Sequence, residues 1–323
     1  MYVEIVSGLT GSKLNIWKDF VVKCGLNWDT LPPKTIFVWD GEELAATGSR
    51  DGNILKYIAV DSSRQGENLT ATVVSHLRQD AFSEGINHLF LYTKPLNEVF
   101  FKSLFFCKVA ETQDVMLMES KKDGIKNYLA SLPPKRKGVS GAVIANCNPF
   151  TLGHRYLMEN ASKMCDTLYV FAVSEDKSLF SAHDRLEMIK RGTSHIENAI
   201  VVPTGPYLIS SATFPTYFLK DNADEIKCSL DVEIFGNIIA PHLGITKRFA
   251  GTEPNCSVTA KYNNILKNSL PEYGIEFCEI PRLEYDHTPI SASLVRRYIE
   301  ENRTEEIKNL VPETTYNFIM KGR

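Results

Sequence analysis

At 323 residues, with 43% hydrophobic and 23% charged side chains, the chain has the length of about two domains and ample material for a core. Its net charge of -3 argues against a nucleic-acid scaffold, and seven cysteines without a single C-x-x-C pair argue for reduced thiols rather than a zinc site or a disulfide framework. No stretch approaches the ~20 apolar residues of a membrane helix, so the expectation is a soluble cytoplasmic protein with neither nucleic acid nor membrane as partner.

In chain order, Leu14, Trp17, Val21 and Cys24 share one helical face ahead of Gly25, which predicts a helix over 12–24. Thr35–Trp39, Leu44–Ser49 and Ile54–Val60 read as antiparallel strands separated by the turn dipeptides Asp40-Gly41 and Asp51-Gly52. A helix over 68–84, a strand at His88–Thr93, a helix over 96–105 and a strand at Lys108–Met118 complete an α+β domain over 1–131. That order resembles the GCN5-related acetyltransferase (GNAT) fold. The aligned pyrophosphate loop, Gln65-Gly66-Glu67-Asn68-Leu69-Thr70, has Asn68 and Thr70 where the family requires small residues, so the domain reads as degenerate. Acetyl transfer, docking of a carrier or pantetheine arm, and a purely structural role all stay open for it. Phe100-Phe101-Lys102-Ser103-Leu104-Phe105-Phe106 matches a helix-to-strand junction and reads as core.

Two prolines, three basic residues and a glycine mark 132–138 as a linker. From Val139 the pattern alternates strand and helix, with strands expected at 139–145, 168–174, 199–202, 247–251 and 275–280: a Rossmann-like α/β parallel sheet over 139–323, whose ligand should sit beyond the strands' carboxyl ends. After the first strand, Asn148-Pro149-Phe150-Thr151-Leu152-Gly153-His154 reads as a tight loop opening a helix, which favours an anion. After the second, Lys177 is open to a triphosphate or a solvated role, Ser181 is a helix cap, and Arg185 is equally a phosphate ligand or a surface residue. The hydroxyl- and aromatic-rich run 204–221 is read either as the lining of a small-substrate pocket or as loop and helix packed on the sheet. Gly251-Thr252-Glu253 turns at the height of a nucleotide base or ribose. Ile290-Ser291-Ala292-Ser293, with Arg296 one turn on, offers a second anion site.

Thr151-Leu152-Gly153-His154 resembles the (His/Thr)-x-Gly-His signature of the nucleotidyltransferase superfamily, of Rossmann-like HUP type, and Ile290 to Arg296 resembles its distal phosphate motif. Together with the runs 174–181, 210–221, 251–254 and 311–316, and with the GNAT-like domain in front, nearly the whole chain resembles the citrate lyase ligase family. The resemblance implies an AMP-forming ligase acting on ATP, acetate and the thiol of a dephospho-CoA-derived group on citrate lyase's acyl carrier subunit. It implies catalytic roles for His154, Thr151 and Arg296. Nucleotide binding would fall to Asn148, Pro149, Phe150, Gly153, Lys177, Gly251, Thr252, Glu253, Ile290, Ser291 and Ser293, with Mg2+ held mainly by the phosphates. Thr151 stands where many relatives carry a first histidine. The alternatives are a cofactor-biosynthesis adenylyltransferase and a non-catalytic sensor of acyl-CoA or nucleotide.

Overall fold

The computed structural model describes residues 1–175, 178–208, 214–219, 222–253, 257–286 and 288–321. Contact density divides the chain into two units, Met1–Asn127 with Ser211–Leu230, and Tyr128–Ser210 with Asp231–Arg323. The first grouping departs from a simple split at a linker: residues 132–138 have no regular structure, but a segment from the chain's second half belongs with the first unit.

The first unit is built on a seven-stranded sheet. Its elements are β1 (Tyr2–Ser7), α1 (Gly11–Lys23), β2 (Lys34–Asp40), β3 (Glu43–Asp51), β4 (Ile54–Val60), α2 (Leu69–Ser83), β5 (Phe90–Thr93), α3 (Glu98–Ser103), β6 (Cys107–Glu111) and β7 (Met116–Glu119), in the spatial order β1-β2-β3-β4-β5-β7-β6. All pairs are antiparallel except β4 with β5, which meet only at Ile54–Phe90 and Leu55–Leu91. Leu69, Val73, Val74, Leu77 and Ala81 give α2 one buried face. Gly48 admits that face closely, since a Cβ there would lie 2.3 Å from Val73. The strand expected from Lys108 to Met118 is a hairpin instead. Thr112 N–H donates to Val115 O at 2.8 Å across a turn containing Asp114, a residue that favours turns.

Phe214, Tyr217 and Phe218 explain why their segment joins this unit. Tyr217 packs on Tyr57 with ring centroids 4.3 Å apart, and Phe214 meets Tyr92 edge-on at 5.3 Å. Thr216 donates through its backbone N–H and its hydroxyl to Asp29, at 2.8 and 2.9 Å. Burial opposes ionisation of Asp29, but hydrogen bonds from Tyr57 and Thr216 and the charge of Lys56 outweigh it, holding the carboxyl well below its usual range. The aromatics at 214–218 therefore pack in the first unit, where Tyr217 and Phe218 also line a cavity of about 250 Å³ beside Ile58, Leu91 and Asn97; 209–213, 220 and 221 lie outside the described residues.

After α4 (Gly124–Ser131), the chain runs β8 (Ser140–Ala145), α5 (Leu152–Ser162), β9 (Thr167–Ala172), α6 (Ala182–Gly192), β10 (Ala199–Pro203), α7 (Ala223–Ile234), α8 (Ala240–Leu243), β11 (Ile245–Gly251), α9 (Ser257–Ser269) and β12 (Glu276–Ile280), all in the second unit except α7 up to Leu230 and α4 up to Asn127. A short hairpin of β13 (Glu284–Tyr285) and β14 (Thr288–Pro289) then leads into α10 (Ala292–Glu300), α11 (Thr304–Ile307) and α12 (Glu313–Lys321). The five strands are all parallel, in the order β10-β9-β8-β11-β12. The fold class expected from the alternating pattern is the one found. From β8 the chain moves outward through β9 and β10, then crosses back to β11 on the other side of β8. The crevice at the carboxyl ends of β8 and β11 is thus the topological switch point. Val143, Leu168, Val170 and Phe249 pack one sheet face against Met158 and Ala161 of α5 and Met188 and Ile189 of α6. Among the described residues no helix is long and apolar enough to cross a membrane.

Candidate active site

Three parts of the chain meet at the switch point: the β8–α5 loop, residues 251–253 at the end of β11, and residues 280–283 with 290–292 between β12 and α10. They enclose a cavity of about 110 Å³ whose lining includes Thr151, Gly153, His154, Gly251, Arg282 and Ser291.

The β8–α5 loop is built to hold His154. Thr151 caps α5: its hydroxyl accepts from His154 N–H at 3.3 Å, and its own N–H donates to His154 Nδ1 at 3.0 Å. With Nδ1 accepting, the ring proton sits on Nε2 and is available to donate. Burial, and then the positive charge of Arg282, push the imidazole down to about 4, so the ring is neutral at physiological pH. Between pH 6.5 and about 4 the unfolded chain takes up a proton that the folded one refuses, so this residue weakens folding as pH falls through that window and is silent above it. The expected observation is an imidazole NMR signal from His154 that stays in the Nε2–H form and titrates near 4; titration near 6.5 would show an unburied ring.

The first turn of α5 has little amide capacity left. Thr151 N–H serves His154, Leu152 N–H donates to Leu310 O at 2.9 Å, and His154 N–H serves the cap. Gly153 N–H has no such partner among the described residues. Glycine is needed there for another reason too: a Cβ would come within 3.1 Å of Ile290 O, so the start of α5 lies directly against the approach to α10. Ser291 caps α10, accepting from Leu294 N–H at 3.2 Å. Arg296 reaches back from α10, donating to Asn148 O at 2.6 Å and to Ser293 Oγ at 3.1 Å. The two motifs, 148 residues apart at that bond, are therefore one site with two helix N-termini converging on it.

Other expected ligands have different work. Phe150 is fully buried, stacked on His154 at 5.9 Å and filling the space left by Gly192, so it supports the ring and cannot touch a nucleotide. Asn148 accepts from Phe180 N–H at 3.1 Å and precedes a cis bond to Pro149; both shape the loop. Ile290 is buried, and its N–H donates to Leu283 O at 3.0 Å. Ser181 caps α6, as expected, through Asp184 N–H at 3.1 Å. Arg185 is neither phosphate ligand nor surface residue. It is completely buried and donates to the carbonyls of Phe180 (3.1 Å), Asn146 (3.1 Å) and Val173 (2.7 Å), and to Glu175 O and Asn146 Oδ1. It thereby ties the β8–α5 loop to the β9–α6 loop. Lys177 lies outside the described residues.

Arg282 was not singled out by the sequence. Its Nε donates to Thr252 O at 2.7 Å, its N–H to Thr252 Oγ1 at 3.3 Å, and its guanidinium pairs with Glu253. The 251–253 turn is thus pinned across the cavity from His154. Only the Ile-Pro-Arg sequence at the end of β12 signalled it, and a strand-end position is a weak cue without the fold. With Arg282, Arg296, a neutral donor and two helix N-termini at one crevice, the arrangement suits a polyphosphate and can stabilise charge developing on a phosphoryl group.

Comparison with known proteins gives three findings. The model of the citrate lyase ligase C-terminal domain matches residues 140–319. The chain is 40% identical over 291 residues to the [citrate [pro-3S]-lyase] ligase of Klebsiella pneumoniae, covering 87% of this chain and 84% of that one, and 39% identical over 311 residues to that of Escherichia coli K12, covering 93% and 88%. Among solved structures, Thermotoga maritima TmcAL bound with alpha-thio ATP aligns over 57% of this chain and 55% of that one, at 15% identity and a TM-score of 0.37.

Proposed function

Since the chain belongs to the citrate lyase ligase family, we propose that it is an AMP-forming acid–thiol ligase. It activates acetate with ATP as acetyl adenylate and passes the acetyl group to the thiol of the prosthetic arm on citrate lyase's acyl carrier subunit. The observation that carries this reading is the Arg296–Asn148 link, which puts the second anion motif against the His154 loop.

Acetate is ionised at neutral pH, so attack on the α-phosphorus needs no general base, only placement and charge stabilisation. An acetate oxygen forms the new bond to phosphorus while the bond to the β-phosphate oxygen breaks, releasing pyrophosphate. His154 Nε2–H and Gly153 N–H would stabilise charge on the α-phosphate oxygens. Ser291, Ser293 and Arg296, with the α10 N-terminus and Lys177, would hold the β- and γ-phosphates. Thr151 would act through His154, by holding its ring, in place of contacting the nucleotide. Gly251, Thr252 and Glu253, braced by Arg282, would face the base or ribose. In the second step the carrier sulfur attacks the acetyl carbon and AMP leaves.

Magnesium would come with the triphosphate. No group of three or more His, Cys, Asp or Glu side chains among the described residues could hold a metal, and Glu253 is committed to Arg282. Bound to the phosphates, the ion would neutralise charge on the leaving pyrophosphate. Cys24, Cys107, Cys147, Cys165, Cys228 and Cys278 form no disulfide, which, with the need for ATP, fits a cytoplasmic setting.

The test is exchange of labelled pyrophosphate into ATP. Exchange that requires acetate is the expected result, with AMP and acetyl-carrier formed once the carrier subunit is added. Exchange supported only by another nucleophile, giving a dinucleotide-type product, would overturn the reading in favour of an adenylyltransferase.

A further inference from the structure

A protein-borne thiol cannot be recognised by a 110 Å³ cavity alone, so the carrier needs a surface to hold it. The first unit has a surface of the required kind. Leu96, Val99 and Phe100, at helical spacing along α3 and its lead-in, are 79%, 81% and 41% exposed. Phe105 follows at 79% exposure. Its partners in the same aromatic run, Phe101 and Phe106, are buried, so the run is half core and half display.

Phe105 has a φ of 62°. It occupies the left-handed position that closes α3, where its N–H donates to Lys102 O at 3.0 Å and glycine is the usual residue. A bulky side chain held there and pushed into water serves neither the helix nor the core. Beside it lies a recess of about 600 Å³ on β6, the edge strand of the sheet, lined by Phe105, Phe106, Lys102, Lys108 and Lys122. Lys102 and Lys108 share Glu98, and Lys108 also pairs with Glu111. Lys122 has no ion pair among the described residues, and Arg78 lies over Phe106 at 4.7 Å. Four cations thus face two carboxylates, and the surface favours an anionic occupant. The bulge between Lys108 and Ala110 disrupts the edge, which disfavours simple strand addition and leaves side-chain recognition.

We propose that this lysine-rimmed apolar face is the docking site for the acyl carrier subunit, which would present an anionic surface with apolar contacts. The proposal rests on the ligase reading for the identity of its partner. It gives the acetyltransferase-like unit a recognition role that requires no chemistry of its own.

The experiment uses the full chain and the purified deacetylated carrier subunit. Carrier affinity is measured by calorimetric titration without ATP, and carrier KM by acetylation kinetics, for the wild type, Phe105→Gly and Lys122→Glu. Acetate-dependent pyrophosphate exchange reports on the active centre. Both variants should raise carrier Kd and KM about tenfold with exchange intact, and added salt should weaken wild-type binding more than that of Lys122→Glu. Phe105→Gly should unfold no earlier than the wild type, because glycine accepts the left-handed position. Unchanged Kd and KM in both variants would overturn the proposal. So would sedimentation showing that the wild type self-associates and Phe105→Gly does not, which would assign the face to a second copy. Loss of acetate-dependent exchange in the wild type would instead overturn the ligase reading, and the titration without ATP would still decide whether the carrier binds here.

Discussion

Replacing His154 by alanine is expected to lower acetate-dependent pyrophosphate exchange by about 10²- to 10³-fold, the usual cost of removing one preorganised donor from a site where negative charge develops. The loss should fall mainly on kcat, because the Nε2–H bond matters most when the α-phosphorus is attacked. The substitution also removes the acceptor for Thr151 N–H, so a thermal melt belongs beside the assay. A melt near that of the wild type, with exchange reduced, assigns the loss to chemistry. Exchange within a few-fold of the wild type would leave the ring only its capping role. His154→Lys should not rescue activity: the residue is held as a neutral donor, and a lysine has neither the Nδ1 acceptor nor the planar ring stacked on Phe150.

Arg185→Met is expected to destabilise the second unit by at least about 3 kcal/mol, seen as a lower midpoint in denaturant unfolding. The guanidinium is wholly buried and serves four backbone carbonyls from two loops. Methionine fills much of the volume but leaves those oxygens without their donor. Asn146 and Asn148 should shift as the β9–α6 loop is released, so exchange activity should fall as well, even below the unfolding transition. A midpoint and an activity both near wild type would mean that water replaces the guanidinium without loss.

Where function depends on residues close in sequence, the chain was readable. The strand, Asn-Pro turn and helix start at 140–154 are local, and so is the Ser291 cap of α10. That these two motifs form one site was inferable from their type, but their bond, Arg296 to Asn148, appears only once the parallel sheet places α10 beside α5. Arg185 and Arg282 were obscure for a common physical reason. An arginine's role is set by which oxygens surround its five donors, and here those oxygens lie 5 to 39 positions away. Phe150 misled because a residue inside a ligand-binding motif can be a packing residue, and only its depth beneath His154 distinguishes the two. The hairpin of β6 and β7 was merged into one strand because its turn is short and flanked by strand-forming residues on both sides. The aromatics at 214–218 carried the composition of a pocket, and nothing local reveals that they pack on Tyr57 and Tyr92 from the other half of the chain.

That last segment bears on how the protein comes off the ribosome. An N-terminal domain ordinarily completes itself while the rest of the chain is still being made. Here Tyr57 lacks one of its two ring partners, and Asp29 two of its donors, until Thr216 and Tyr217 have been translated and have cleared the exit tunnel. By then β8, β9 and β10 have already been synthesised. The nascent first unit must therefore wait, incomplete, through the manufacture of most of its neighbour's sheet, and a ribosome stall before residue 219 would leave both halves unfinished together.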